Sequence, residues 1–559
     1  VKRPLTAAAV DRRGFLSLLG VGALATTSGG LLAACGSGGG GAGDQGMATQ
    51  TDKLLQLMPT YKPVELIPPD IAGVGGAPNG YLSYPRNLVQ AITETPGTSG
   101  KEISAMAPHW GTVPPALGGN AYYDAINTRL GVPVKFSLQD GVTYYEKLNT
   151  ILGAKDVPEV LSIPSWNVAG LAHFSDAAEA LFTDLTPHLQ GDKALTYPML
   201  ANLPTKSWLE CIWNGKLMAV PFPSDGFAWG FFYRKDIFTK LGAVPPTTAQ
   251  ELYDLGKAVT DPNAKRWAFG AITWEVERLF GSPGTQEGWR KNPDGTVVNK
   301  IETPEYAAAI EFMTKLFTDG LVHPEMMNST GDAKQLFNSG EMLMTTDGFG
   351  GWEGALATEP AINPEFDMQP VLPYSHDGKA TPIIRGGGKV VFYSFIRKDL
   401  SEDRVKEILR VMNWCGAPYG SQEAELIQFG VEGQHFTRGA DGTPVKNDLG
   451  NTEVAAPYAG ISGAPAIITP AKYFDKVQAR VDWNNAAMPF MEKDPWEGIR
   501  LEIPSKVAAL KQPTEDKIND IIRGRTPLSE LESIKKEWLQ KGGEEGREFY
   551  AKALSDNGR

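Results

Sequence analysis

The stretch Glu102–Asn167, EISAMAPHWGTVPPALGGNAYYDAINTRLGVPVKFSLQDGVTYYEKLNTILGAKDVPEVLSIPSWN, alternates between two hydrophobic periods. EISAMA reads as a strand. In NAYYDAINTRLG, the residues Tyr122, Tyr123, Ile126 and Leu130 share one side of a helix, and Gly131 stands just past its end, where helices stop. VPVKFSLQ reads as a strand, TYYEKLNTILGAKD as a helix and VPEVLSI as a strand again. Strands that alternate with helices imply α/β units built on a largely parallel sheet.

The pattern continues on the C-terminal side. GKLMAVPF, AFGAIT, EMLMTT and VVFYSFI read as strands, and GFFYRKDIFTKLG runs from strand into helix. TTAQELYDLGKAVTD is a helix with Thr247 or Thr248 as its cap. TPEYAAAIEFMTKLFTDG and EDRVKEILRVMNWCG are amphipathic helices, and the chain from about Thr469 is mostly helical. On the N-terminal side, residues 51–100 are rich in Pro and Gly and read as an extended segment over a surface, with one short helix around Asn87–Thr93. No internal repeat is visible.

At 559 residues the chain has room for roughly two to four domains. Hydrophobic residues make up 42% and charged residues 21%, too apolar a mixture for disorder. A net charge of −12 argues against nucleic acid, whose affinity rests on Lys and Arg contacts to phosphate. Cys211 and Cys415 are too far apart for a metal motif, and their contexts, WLECIW and MNWCGA, suit buried thiols. A single disulfide is the alternative in an exported protein.

The first residues have a different character. DRRGFLSLLGVGALATTSGGLLAACGSGGGG, Asp11–Gly41, carries a basic flank, an apolar run diluted by glycines, then small residues. This is the layout of a secretion signal. Arg12-Arg13 resembles a twin-arginine export signal, with Asp11 where that motif has Ser or Thr; general secretion is the alternative. Leu32-Ala33-Ala34-Cys35 resembles a bacterial lipobox, which makes Cys35 the lipidated first residue of the mature chain. The glycine-rich stretch behind it is a flexible tether, with an r.m.s. reach of about 20 Å. Two acyl chains anchor stably where one does not.

Familiar catalytic patterns are missing. GTSGKEIS (Gly97–Ser104) fails as a phosphate loop because Glu102 follows Lys101 where Ser or Thr is needed. No nucleophile elbow, HExxH or paired CxxC occurs, and the six histidines are scattered. The tryptophans carry more information. Trp110, Trp166, Trp229, Trp274 and Trp352 each follow a predicted strand across a short loop. In open α/β sheets ligands bind beyond the carboxyl ends of strands, so these five suggest one broad aromatic cleft. His109, Asn167, Asp225, Glu275 and Asp347 are interleaved with them, Phe227 lies between Asp225 and Trp229, and Arg385 before GGGKVV is a further polar candidate. A sugar fits this mixture: its C–H face lies on an aromatic plane while its hydroxyls bond to the rim. Trp414 and Trp538 sit at helical spacing and read as core.

Five stretches, in this order, resemble the extracellular solute-binding proteins of bacterial ABC importers, of the maltose-binding type and closest to its LplA/LipO-like branch. They are NGKLMAVPFPSDGFAWGFFYRKDIFTKLGAVPPTTAQELYDLGKAVTDPN, TPEYAAAIEFMTKLFTDGLVHPEM, FNSGEMLMTTDGFGGW, FGVEGQHF and INDIIRGRTPLSELESIKKEWLQKGGEEGREFYAKAL. The resemblance implies a two-lobed, type II periplasmic-binding-protein-like α/β fold with the ligand cleft between lobes. It also places Trp352 where such proteins often stack a sugar. Some relatives carry a calcium loop after the DPN stretch; here Lys265 and Arg266 follow Asp261-Pro262-Asn263, so no calcium is expected there.

The expected organisation is a signal peptide over 1–34, a lipidated tether over 35–50 and an extended segment over 51–100. Lobe 1 is then 101–222 with about 371–425, and lobe 2 is 223–370 with about 426–559, which includes the C-terminal helices. The expected function is a monomeric, lipid-anchored receptor on the outer face of the cell membrane. It hands an oligosaccharide to the membrane subunits of an ABC permease and needs neither cofactor nor metal. A peptide receptor on the same fold and a surface glycoside hydrolase are the alternatives; the second needs two carboxylates about 5–10 Å apart.

Overall fold

The computed structural model describes residues 47–49 and 54–559, apart from 169–170, 172–173, 228, 271, 328–331, 381–382, 385, 387–388 and 498. The expected signal, Cys35 and most of the tether lie outside the described residues. Nine strands build the two main sheets among the described residues: β1 Ile103–His109, β2 Val134–Asp140, β3 Val160–Pro164, β4 Ala219–Pro223, β5 Trp229–Arg234, β6 Trp267–Phe269, β7 Met342–Gly348, β8 Met368–Pro370 and β9 Val390–Ile396. The principal helices are α1 Ala121–Leu130, α2 Tyr144–Ala154, α3 Ala249–Val259, α4 Thr273–Leu279, α5 Pro304–Thr318, α6 Ala333–Ser339, α7 Phe349–Ile362, α8 Glu402–Cys415 and α9 Val477–Ala487. No helix among the described residues is long and apolar enough to cross a membrane.

Local signals act as their chemistry requires. Asn120 Oδ1 accepts from the backbone N–H groups of Tyr122 and Tyr123 to start α1, and Gly131, at φ 69°, ends it. The face carrying Tyr122, Tyr123, Ile126 and Leu130 is buried. Thr248 caps α3 through its bond from Glu251 N–H. The GTSGKEIS loop does cradle an anion, but one from its own chain. Thr98 and Ser99 N–H donate to Glu407 Oε1 at 2.6 and 2.7 Å, and Ser99 Oγ donates to Oε2 at 2.8 Å.

The sheets are mixed, not largely parallel. The first has the order β2-β1-β3-β9-β4 and the second β6-β7-β5-β8. β1 runs parallel to β2 and β3, while β9 is antiparallel to β3 and β4. β6 and β7 are parallel, and β5 is antiparallel to β7 and β8. The reversed strands are the two that enter directly from the other sheet. β4 ends at the carboxyl edge of the first sheet, and β5 starts at the matching edge of the second, so it runs away from that edge. β9 does the same on the return.

Two hydrophobic cores follow from this topology. The first gathers residues from 103–220 and 390–461 with Leu54 and Met58. The second gathers residues from 227–384 and 468–554 with Ala77. Ile427, Val454, Tyr458 and Ile461 pack in the first core, so the chain leaves it between Ile461 and Ile468, later than the expected residue 425. Trp414 and Trp538 are core residues, in the first and second core respectively. Cys211 and Cys415 are buried in the first core and are not joined to each other.

The N-terminal segment straps both lobes. Thr60 N–H bonds to Gly191 O and Val64 N–H to Asn202 Oδ1 on the first lobe. Val74 N–H then bonds to Asn485 Oδ1 in α9, and Tyr81 N–H to Ile468 O, on the second. The expected helix around Asn87–Thr93 is absent. Val89 N–H bonds instead to Gly420 O, and Ala91 and Ile92 N–H to the Glu423 carboxylate, which holds this stretch extended against the first lobe.

Candidate ligand-binding site

At the carboxyl edge of the first sheet, Trp110 directly follows β1, and Trp166 sits in the single helical turn Ser165–Val168 that follows β3. Both are half-exposed, at 50% and 55%. Their ring centroids lie 6.1 Å apart, and Phe392 completes a triangle at 6.4 and 5.8 Å. Phe392 stacks in turn on Phe222 at 5.8 Å. The pairing of Phe392 with Pro164 brings this residue, near the start of the reversed strand β9, to the same edge. Gly141 lies under the Trp110 ring, where a Cβ would overlap the indole. Asn167 Oδ1 is buried and has no partner among the described residues. His109 is turned to its own loop, with Nε2 3.0 Å from Thr112 O.

The second sheet repeats the arrangement. Trp229 begins β5 and pairs with Gly348 at the end of β7, so the antiparallel strand delivers it to the carboxyl edge. Trp274 stands in the first turn of α4, beyond β6. These two are also half-exposed, at 51% and 54%, and meet edge-to-face at 5.6 Å. A cavity of about 370 Å³ opens beside Trp229, lined also by Lys334, Thr346 and Asp347. Burial raises the Asp347 carboxyl above its ordinary pKa, against the opposing pull of Gly348 N–H and Lys334. Asp347 Oδ1 accepts from Gly348 N–H at 2.7 Å.

The link between β4 and β5, residues 224–228, is short. An extended chain covers at most about 3.6 Å per residue, so the two edges lie within roughly 20 Å where the link joins them.

Other predicted residues sit elsewhere. Trp352 is fully buried: its indole N–H donates to Met368 O at 2.8 Å, and Phe232, Phe349 and Tyr473 surround the ring. β7 runs on to Gly348 and α7 starts at Phe349, and that helical phase turns Trp352 into the core. It is therefore no stacking platform. Phe227 is buried edge-on against Trp483 at 5.4 Å. The Asp225 carboxylate is engaged by Arg480 Nη2 at 2.6 Å and by Phe227 N–H at 2.9 Å. Glu275 is buried in an ion pair with Arg278. Arg385 lies outside the described residues.

Phe222, Phe392, Lys334 and Gly141 escaped the sequence reading. Aromatics just beyond strand ends are visible in the sequence, whereas Phe392 lies near the start of a strand whose direction the local pattern does not reveal.

Two α/β lobes, each presenting a pair of half-exposed tryptophans at a sheet edge beside the inter-lobe link, define a two-lobed solute-binding protein. Residues 118–399 match the model of the family described as bacterial extracellular solute-binding protein, and the chain belongs to that family. It is 23% identical over 314 residues to the polygalacturonan/rhamnogalacturonan-binding protein YtcQ of Bacillus subtilis, which covers 53% of this chain and 60% of that one. It is 26% identical over 215 residues to the sn-glycerol-3-phosphate-binding periplasmic protein UgpB of Brucella abortus, covering 36% of this chain and 45% of that one. The matches thus span about half the length of these relatives. Among solved structures, an HMO-binding, ABC-transporter-associated solute-binding protein of Bifidobacterium longum infantis superposes with a TM-score of 0.59. The superposition covers 82% of this chain and 99% of that one at 14% identity, a likeness of fold.

Proposed function

We propose that the protein is a lipid-tethered receptor that captures an oligosaccharide between its lobes and delivers it to an ABC permease. The observation that carries this reading is the pairing of Trp110 with Trp166 on one sheet edge and of Trp229 with Trp274 on the other, each ring half open to solvent. Clustered exposed aromatics mark binding surfaces. Indole faces suit the C–H faces of sugar rings, and Asn167 and Asp347 supply polar groups beside them. Ligand contacts made to both edges at once favour the closed form and shift the population toward it. A micromolar dissociation constant needs only about −8 kcal/mol. Arg12-Arg13 directs export and Cys35 carries the lipid in this reading, and the receptor acts as a monomer without metal or cofactor.

A thermal-shift screen against neutral glycans, uronate glycans and peptides tests the proposal. Ligand at 100 times its dissociation constant stabilises by about 2.7 kcal/mol. Stabilisation by glycans supports it; stabilisation by peptides alone would sink it.

A further inference from the structure

We propose that the cavity beside Trp229 is an end-on subsite that takes one terminal, neutral ring of the glycan, with Asp347 as the acceptor that selects it; the inference rests on the oligosaccharide reading above. The cavity volume of about 370 Å³ stands at the low end of small-molecule pockets, which span about 300–1,000 Å³. It fits the end of a chain, while the rest of the glycan runs out over Trp229.

Its polar groups are arranged for hydroxyls. Asp347 uses Oδ1 on Gly348 N–H, and Oδ2 has no protein donor among the described residues. Thr346 also lines the cavity, and its Oγ1 is buried without a partner among the described residues. Lys334 has no ion-pair partner within 4.0 Å among the described residues, yet lies close enough to act on the Asp347 carboxyl. A neutral ring offers donors to Asp347 and acceptors to Lys334 and Thr346 at once. A uronate or phosphate brings a second negative charge beside a carboxylate that is already partly desolvated, and like charges so placed repel strongly. Gly351 is part of the device. A Cβ there would overlap the Asp347 carboxylate, so the missing side chain lets that carboxylate lie against the first turn of α7.

The test is calorimetric titration of wild type, Asp347→Asn, Gly351→Ala, Trp110→Ala and Trp166→Ala with neutral tri- and tetrasaccharides and with oligogalacturonides of equal length. Melting curves verify that each variant folds, and the isosteric Asp347→Asn stands should Gly351→Ala unfold. Wild type is expected to prefer neutral glycans at least tenfold. Asp347→Asn should weaken them at least tenfold and narrow the gap to the uronates, and Gly351→Ala should weaken them too. Wild-type affinity in Asp347→Asn and Gly351→Ala, with loss in the two tryptophan variants, would overturn the subsite and leave the receptor reading intact. A wild-type preference for uronates would overturn the neutral selection. Absence of binding to every glycan would overturn both.

Discussion

Asp225 Oδ2 accepts a hydrogen bond from Arg480 Nη2 at 2.6 Å, joining the link between the sheets to helix α9. Arg480 is fully buried, with its guanidinium carbon 3.4 Å from the Phe349 ring centroid and within 5.9 Å of those of Phe227, Tyr473 and Trp483. A cation in an aromatic box needs its anion. Asp225→Asn should therefore destabilise the protein by about 3–5 kcal/mol, the cost of stranding a buried charge. Denaturant unfolding measures this, and a change below about 1 kcal/mol would refute the pairing as a stabilising contact.

Trp110 and Trp352 should separate cleanly on mutation. Trp110→Ala is expected to weaken glycan binding at least tenfold while leaving the unfolding midpoint near wild type. Trp352→Ala opens a core cavity and should cost about 3–5 kcal/mol of stability, with little loss of affinity in the fraction that remains folded. Parallel calorimetry and chemical denaturation read both effects.

Gly141→Ala tests the same platform from beneath. The new Cβ would overlap the Trp110 ring and push it off its seat. The expected result is a loss of glycan affinity approaching that of Trp110→Ala, together with altered tryptophan fluorescence. A variant with native affinity and an unchanged spectrum would show that the ring position is not held by this contact.

Acid should loosen the first lobe through Glu407. Burial works to raise its pKa, but the Ser99 and Thr98 N–H groups and Arg404 outweigh it and hold the carboxyl at about 2. The folded value is depressed, so the group contributes stability above the unfolded value near 4.5, and that contribution fades as pH falls toward about 2. Wild type should thus lose stability from about pH 5 downward. Glu407→Gln should start lower at pH 6 and fall less steeply, the two curves converging near pH 2. Urea midpoints measured across this range check the slope.

Cys35→Ser should abolish membrane attachment. In detergent phase partition the wild type is expected with the detergent and the variant in the aqueous phase. Equal partition of the two would remove Cys35 from the anchoring step.

Much of this was legible locally, because caps, periods and short loops are local facts. Asn120 and Gly131 bound α1 as their chemistry demands, and Trp110, Trp166, Trp229 and Trp274 do stand half-exposed at sheet edges. What escaped depends on partners distant in the chain. The direction of β9 is set by its neighbours β3 and β4, and Asp225 meets a residue 255 positions away. Trp352 escaped for a narrower reason: DGFGGW reads as a short loop, but the strand runs on to Gly348 and α7 starts at once, which turns the ring inward.

The place of β9 governs the order in which the molecule can form. It lies between β3 and β4, yet residues 224–389 separate it from β4 along the chain. A growing polypeptide therefore carries β3 with an open edge until residues of the second lobe up to 389 have been synthesised. That second core is itself incomplete until residues 468–554 arrive. Pairings over such separations are slow, and an open strand edge in the meantime invites other chains. The second lobe cannot be finished first: a chain cut short before β9 has an unzipped first sheet, and one cut short between Ile461 and Ile468 holds every residue of the first core but an unclosed second core.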